Sequence, residues 1–443
     1  MARSDRPVRS CGTPSPFLVL LAVPLALGAC TDSGGDAGAS GDAEMRGGSH
    51  MAEARALQDR IITIDTHDDI PADFGSDEVN PCTELDRQVD VPKMEEGGLD
   101  VAFFIVYVGQ GERTPEGYED ARRQAMQKFA GIHRVAEELC PERIELAYTP
   151  EDVERIVGEG KLATAIGIEN GYVIGRDLSL LRTYSDLGAN YITLAHGGHN
   201  DIADSATPRE ELGDEESEHG GLSPFGEEVV GEMNRLGIMV DVSHISKDAA
   251  LDAMRVSSLP VIASHSSVRA LADHPRNMDD ETLRALRDNG GVIQIVALDG
   301  YVKVDPPEKT EAVDALREEM GIQSRGDWQA LTDSARGAYE ERMEEIEDRW
   351  PGPDVADFVD HIDYAVDLIG IDHVGISSDF DGGGGITGWN DASETVNVTA
   401  ELLRRGYSDE EIEKLWGGNL LRVWGEVEAA AGEAMPADSG ASG

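Results

Sequence analysis

The 443-residue chain is poor in positive charge: 37 Lys and Arg stand against 87 Asp and Glu, a formal net charge of −50. A surface of that sign repels nucleic acid and anionic lipid headgroups, which excludes both as direct partners. The acidic excess runs along the whole chain, so it reads as a solvated shell of the halophilic kind and not as one binding patch. Long apolar runs are also missing. The longest, opening at Phe17-Leu18-Val19-Leu20-Leu21-Ala22-Val23, is flanked by Pro16 and Pro24 and is too short for a comfortable membrane span. Cysteine is scarce, with four residues. Two fall in the first thirty positions, leaving Cys82 and Cys140, whose spacing alone predicts neither a bond nor its absence.

That first apolar run has another meaning. Arg3, Arg6 and Arg9 precede it, and Leu27-Gly28-Ala29-Cys30 closes it. A basic start and an apolar core of this length form an export signal, and the closing tetrapeptide resembles a bacterial lipobox, in which the cysteine is lipidated. Residues 1–30 are therefore expected to be a lipoprotein signal and residues 31–52, opening rich in Gly, Ser, Asp and Ala, a flexible tether. The mature chain would be exported and lipid-anchored through Cys30 to a bacterial membrane, facing periplasm or exterior. A main domain is expected over 53–428 and a disordered tail over 429–443.

Within that domain, near-continuous apolar runs alternate with helical stretches. They are Ile61–Thr66, Val101–Val108, Leu162–Ile168, Asn190–Ala195, Gly237–Ser243, Pro260–Ser264, Gly291–Val296 and His373–Ser378. Strands apolar on both faces belong to a parallel sheet covered on both sides. Eight such units predict an α/β chain folded as a (β/α)8, TIM-like barrel. The seventy-five or so residues between the seventh and eighth runs, including the charged stretch Lys309–Trp350, predict a helical insertion near the barrel mouth. Residues 201–220 read as a loop over the same end, and Ser408-Asp409-Glu410-Glu411 as a capping box opening a last helix.

The runs end in a consistent way. The first leads into His67 and Asp69, which share a strand face because side chains two apart point the same way, with Asp68 turned aside. Others end in Glu169, His196, His244, His265 and Asp379. In such a barrel the site lies at the carboxyl ends of the strands. Histidines and carboxylates gathered at one rim suit zinc, with manganese, cobalt or iron also compatible. The position after the fourth strand, where other binuclear barrel hydrolases place a carbamylated lysine, holds His196, so Glu169 is the natural bridging carboxylate. Gly382-Gly383-Gly384-Gly385 lacks the Lys-Ser/Thr of a P-loop and reads as a flexible turn, with Asp381 structural. His199, His219, His361 and His373 are expected to lie outside the ligand set.

These motifs resemble the membrane (renal-type) dipeptidases, binuclear zinc peptidases of the amidohydrolase superfamily. The resemblance rests on His67-Asp68-Asp69-Ile70-Pro71, Gly167-Ile168-Glu169-Asn170-Gly171, Leu194-Ala195-His196, Gly221-Leu222-Ser223-Pro224-Phe225-Gly226, Asp241-Val242-Ser243-His244, Ser264-His265-Ser266-Ser267, Arg276-Asn277, Asp379-Phe380-Asp381-Gly382 and Asn419-Leu420-Leu421-Arg422. It implies two Zn2+ per chain, one on His67 and Asp69, the other on His244 and His265, with Glu169 between. It further implies that His196 contacts substrate and steadies the oxyanion, that Arg276 pairs with the substrate's terminal carboxylate, and that Asp379 handles protons around a bridging hydroxide. The implied reaction is hydrolysis of dipeptides, including those ending in a D-residue, by a protein that the family suggests is a homodimer. Acyl-amino acids, lactones and β-lactams are the alternative substrates of related metal hydrolases. A surface binding lipoprotein on a decayed barrel would have lost ligands, and none is missing here. Asp68 departs from the family's usual Asn and Asn170 from its usual small residue.

Overall fold

The computed structural model describes residues 50–323 and 325–434. Nine strands form, β1 (Ile64–Asp69), β2 (Val101–Tyr107), β3 (Ile144–Leu146), β4 (Leu162–Glu169), β5 (Ala189–Thr193), β6 (Met239–Asp241), β7 (Ile262–Ser266), β8 (Val292–Val296) and β9 (Val374–Ser377). Eight of them run parallel in the order β1-β2-β4-β5-β6-β7-β8-β9. The ring nearly closes between its ends: Asp69 N donates to Phe380 O at 2.8 Å, and Ser378 N donates to the Asp65 carboxylate at 3.0 Å. This is the (β/α)8 architecture that the eight apolar runs predict. The unforeseen strand, β3, pairs with Leu162–Thr164 at the entry end of β4, below the stretch that pairs with β5.

Both faces of the strands are buried, for two reasons. Inward, Ile64, Phe103, Ile105, Tyr191, Met239, Ile262 and Val292 pack together, and Leu420, Val423 and Trp424 of the last helix join them. Outward, Phe104, Val106, Ile166, Ile168 and Ile192 pack in a second cluster with helical residues such as Phe129 and Phe358. The helices start where local chemistry dictates. Thr114 caps Pro115–Arg134, Ser223 caps Pro224–Leu236, and each helix opens on a proline whose missing N–H is not needed there. Ser408 and Glu411 form the expected capping box.

The long connection between β8 and β9 is helical, with Asp299–Val302, Pro307–Met320, Arg325–Ala330, Asp333–Arg349 and Val355–Ile369 in succession. Residues 201–220 are irregular apart from one short turn, Glu210–Leu212. Both expected chain ends are shifted by helix. Residues 50–52, placed in the tether, already belong to a helix that buries Ala54 and Leu57. The last helix, Asn419–Ala434, continues past Ala429 because its alanines and glutamates favour helix over coil. The signal, Cys30 and most of the tether lie outside the described residues, as do the final nine. Among the described residues no helix is long and apolar enough to cross a membrane. Cys82 and Cys140, 58 positions apart, form a disulfide.

Candidate metal centre

The strand ends bring the expected residues to one place. Asp69, Glu169, His196, His244, His265, Arg276 and Asp379 line one cavity of about 390 Å3, and His67 lies fully buried behind it. Glu169 stands at the middle. Its Oε1 faces His244 Nε2 at 2.9 Å, and His196 and His265 Nε2 at 3.5 Å each. Its Oε2 faces His67 Nε2 at 3.6 Å. On the far side His67 Nε2 is 3.9 Å from both Asp69 Oδ2 and Asp379 Oδ1. Donor atoms thus converge in overlapping groups, His67–Asp69–Asp379 and Glu169–His196–His244, with His67–Glu169–His265 joining them. Asp379 therefore sits within the donor set, not merely beside it.

The donor chemistry fits divalent cations. His67 Nε2 is buried, has no hydrogen-bond partner and looks onto carboxylate oxygens. His244 and His265 bring their Nε2 atoms within 2.6 Å of each other beside the same carboxylate oxygen. Two imidazole nitrogens and carboxylates at this spacing are the N/O set that borderline metals accept.

Electrostatics divide the site. Burial, reinforced by the charge of Glu169, pushes the Asp69 carboxyl up to about 6. Burial lifts Asp379 well above the ordinary range, with Asp69 and Glu169 adding to it. Burial would lower His67, but Glu169, Asp379 and Asp69 outweigh it and hold it at about 9. Burial would likewise raise Glu169, yet the surrounding histidines keep it well below its usual value. His244 and His265 are driven well down by burial, with Arg276 and neighbouring imidazoles contributing. His196 is lowered by burial against the pull of Glu169.

The backbone is bent hard around this point. Asn170, His244, Asp379 and Asp381 are the non-glycine residues with positive φ among those described, and all follow strand ends at this rim. Such conformations persist only where the surroundings fix them. The glycine run after β9 is a packed turn, not the flexible one expected. A Cβ on Gly382 would lie 2.3 Å from Asp379 Oδ1 and 2.4 Å from Asp69 Oδ2, and one on Gly384 would meet Ser378 O at 1.9 Å. Gln88 clasps this turn, accepting from Asp381 N at 2.7 Å and donating to Gly384 O at 2.9 Å.

Arg276 is 4% exposed. One guanidinium nitrogen donates to His265 O at 3.1 Å, its carbon lies 5.4 Å from the centroid of the Tyr301 ring, and its buried Nε is unpaired. His199, His219, His361 and His373 lie apart from the cluster, bonded to the backbone of Glu215, Asn200, Val302 and Gly291. Tyr107, Thr207, Leu298 and Tyr301 also line the cavity and had no ligand-type signal to mark them. Tyr107 packs on His196 with ring centroids 4.8 Å apart, and the Lys128 ammonium lies 5.6 Å from the centre of the Tyr107 ring.

Comparison with known proteins agrees with this geometry. The model of the membrane dipeptidase family (Peptidase family M19) matches residues 51–437. Dipeptidase tcpJ of Claviceps purpurea is 34% identical over 360 residues, 80% of this chain and 73% of the relative. Dipeptidase aclJ of Aspergillus oryzae is 33% identical over 400 residues, 87% and 83% of the two chains. The crystal structure of the probable dipeptidase PvdM from Pseudomonas aeruginosa superposes with a TM-score of 0.77 at 36% identity, covering 86% of this chain and 99% of that one. A barrel whose strand ends gather these donors, matched over nearly its whole described length, places the chain among the enzymes of the membrane dipeptidase family.

Proposed function

We propose that this chain hydrolyses dipeptides that carry a free C-terminal carboxylate, with two divalent metal ions, zinc by preference, held at the strand ends. His67 and Asp69 would hold one ion, His244 and His265 the other, and Glu169 both. Metal ions so held would supply Lewis acidity to the scissile carbonyl and would lower the pKa of the attacking water. The chain's own residues do the rest. Asp379, buried against Asp69 and His67, takes the water's proton and returns it to the leaving amine. His196, whose ring packs on Tyr107 at the cavity wall, donates to the developing oxyanion. Arg276 receives the substrate carboxylate and sets the peptide bond across the donor cluster.

The observation that carries the substrate assignment is Arg276: a guanidinium nearly removed from water, with an unpaired N–H, in the wall of a cavity lined by metal-type donors. A planar fork in that position calls for a carboxylate. Arg276→Met removes the charge and keeps much of the volume. Metal content should stay at the wild-type level while kcat/KM on free dipeptides falls by roughly 30- to 1,000-fold, the worth of about 2 to 4 kcal/mol for a desolvated charge pair. Wild type should prefer a dipeptide to its C-terminal amide, and the variant should lose that preference. A variant that still discriminates acid from amide as wild type does rules out this orientation. A C-terminal D-residue is part of the proposal, checked in the same assay with L,L- and L,D-dipeptides.

We also propose that the chain is exported and lipid-anchored through Cys30, on the strength of the segment that precedes it. Cys30→Ser should release active enzyme from the membrane fraction; an unmodified mature N-terminus elsewhere would refute the anchor.

A further inference from the structure

His265 is backed by a chain of hydrogen bonds that ends in a carboxylate. Its Nε2 looks onto Glu169, and its Nδ1 lies 2.8 Å from the Ser264 hydroxyl. That hydroxyl has one proton to give, and gives it to Asp241 Oδ2 at 2.7 Å. Ser264 Oγ must therefore accept from His265, which fixes the ring proton on Nδ1 and leaves the Nε2 lone pair facing the donor cluster. Asp241 is fully buried and cannot turn away. It also accepts from the Thr193 hydroxyl, from Ser243 N at 3.0 Å and from Ser264 N at 2.8 Å. Hydrogen bonds from β5, from β7 and from the turn after β6 thus hold this carboxyl group in place beneath the site.

The geometry points to Asp241 as a positioning residue that acts on His265 through the Ser264 hydroxyl, orienting that imidazole as a metal ligand. The inference rests on the metal reading proposed above. A carboxylate at the far end of such a relay fixes the tautomer and strengthens the nitrogen as a donor. His67 offers a contrast. Its Nδ1 meets the Tyr191 hydroxyl at 3.0 Å, and that hydroxyl donates to a backbone carbonyl, Thr66 O, at 2.9 Å. That relay ends in a backbone carbonyl and not in a carboxylate.

Ser264→Ala breaks the relay while leaving the backbone N–H bond to Asp241 intact, and Ser264→Thr restores a hydroxyl. Zinc and cobalt(II) affinities of wild type and both variants, measured by chelator competition on the full chain, decide the matter. One metal equivalent in Ser264→Ala should weaken by about 10- to 100-fold, the usual loss for an outer-shell partner. The other equivalent should hold at wild-type affinity, and Ser264→Thr should recover most of the loss. Wild-type affinity in Ser264→Ala, or equal losses in both variants, overturns the relay. A wild type that binds no divalent metal overturns the metal reading itself and is thereby told apart. Should Ser264→Ala not fold, imidazole 15N spectra of metal-loaded wild type carry the decision: a proton on His265 Nδ1 supports the relay, and coordination through Nδ1 overturns it.

Discussion

The two halves of the site solve opposite problems with the same burial. Around His67, Asp69 and Asp379, burial crowds carboxylates together and raises their affinity for protons, so that His67 is held charged among them. Around His244 and His265, burial strips imidazoles of their protons and leaves neutral nitrogen donors. A cation would therefore have to displace protons from the first half and would simply enter the second. Glu169 belongs to both, one oxygen turned to each side.

The strongest way to break that division is to remove what spans it. Glu169→Gln keeps the shape and deletes the charge that faces four histidines. Both metal equivalents should weaken together, and kcat/KM on dipeptides should fall by about 1,000-fold or more, some 4 kcal/mol at 1.4 kcal/mol per decade. Asp69→Asn, by comparison, should weaken one equivalent. Chelator competition on the two variants makes the test. If Glu169→Gln loses one equivalent and keeps the other intact, Glu169 serves a single half.

Acidification should separate the halves without any substitution. In the metal-free chain burial holds the Asp69 carboxyl at about 6, above the 3.8 of a free aspartate. The native state then holds more protons than the unfolded state across that window, so this group's contribution lowers stability as pH rises through it. His67 is raised from 6.5 to about 9; its contribution is fully present below 6.5 and is lost as pH rises through about 9. Metal must displace both protons. Affinity in the carboxylate half should fall by about tenfold per pH unit below 9, and more steeply below 6. Affinity in the histidine half should depend far less on pH over the same range. Zinc titrations at pH 5, 6, 7 and 8 that show both equivalents falling in parallel would contradict the division.

The same contrast explains what the sequence could and could not tell. The eight barrel strands were legible because strands buried on both faces are nearly continuous runs of apolar residues. Each of His67, Asp69, Glu169, His196, His244, His265 and Asp379 stood out as a polar interruption at or just beyond the end of such a run. The strand β3 escaped because three residues, one of them Glu145, carry no run to see. The Ser264–Asp241 relay escaped because it joins neighbouring strands, and serine and aspartate before a histidine look like ordinary turn residues. The glycine run after β9 was misread as flexible because composition reports the freedom of the backbone and not the atoms packed against it. Tyr107 and Tyr301 carry no ligand-type signal, and only the three-dimensional placement of the cavity makes them part of its wall.

Lys128 was hidden for a related reason, and it sharpens the comparison with the smallest expected effect. It sits in the helix Pro115–Arg134, only 8% exposed, with its ammonium near the Tyr107 ring. In a one-dimensional reading it is a surface lysine of an amphipathic helix. In the fold its charge acts on the carboxylate half: burial lowers its pKa while Asp69 and Glu169 draw it back up, and it in turn lowers Asp69. A fixed cation there opposes a second cation arriving at Asp69. Lys128→Met should therefore tighten metal binding in the carboxylate half, by about three- to tenfold, or roughly 0.7 to 1.4 kcal/mol, and leave the histidine half unchanged. It should also raise the acid limb of the pH–kcat/KM profile, because a water activated at the metals would lose a neighbouring positive charge. Simple damage to packing would move affinity the other way, so the sign alone separates electrostatics from structure. Chelator competition showing weaker metal binding in Lys128→Met, with a normal melting temperature, would mean that the lysine supports Asp69 and does not restrain it.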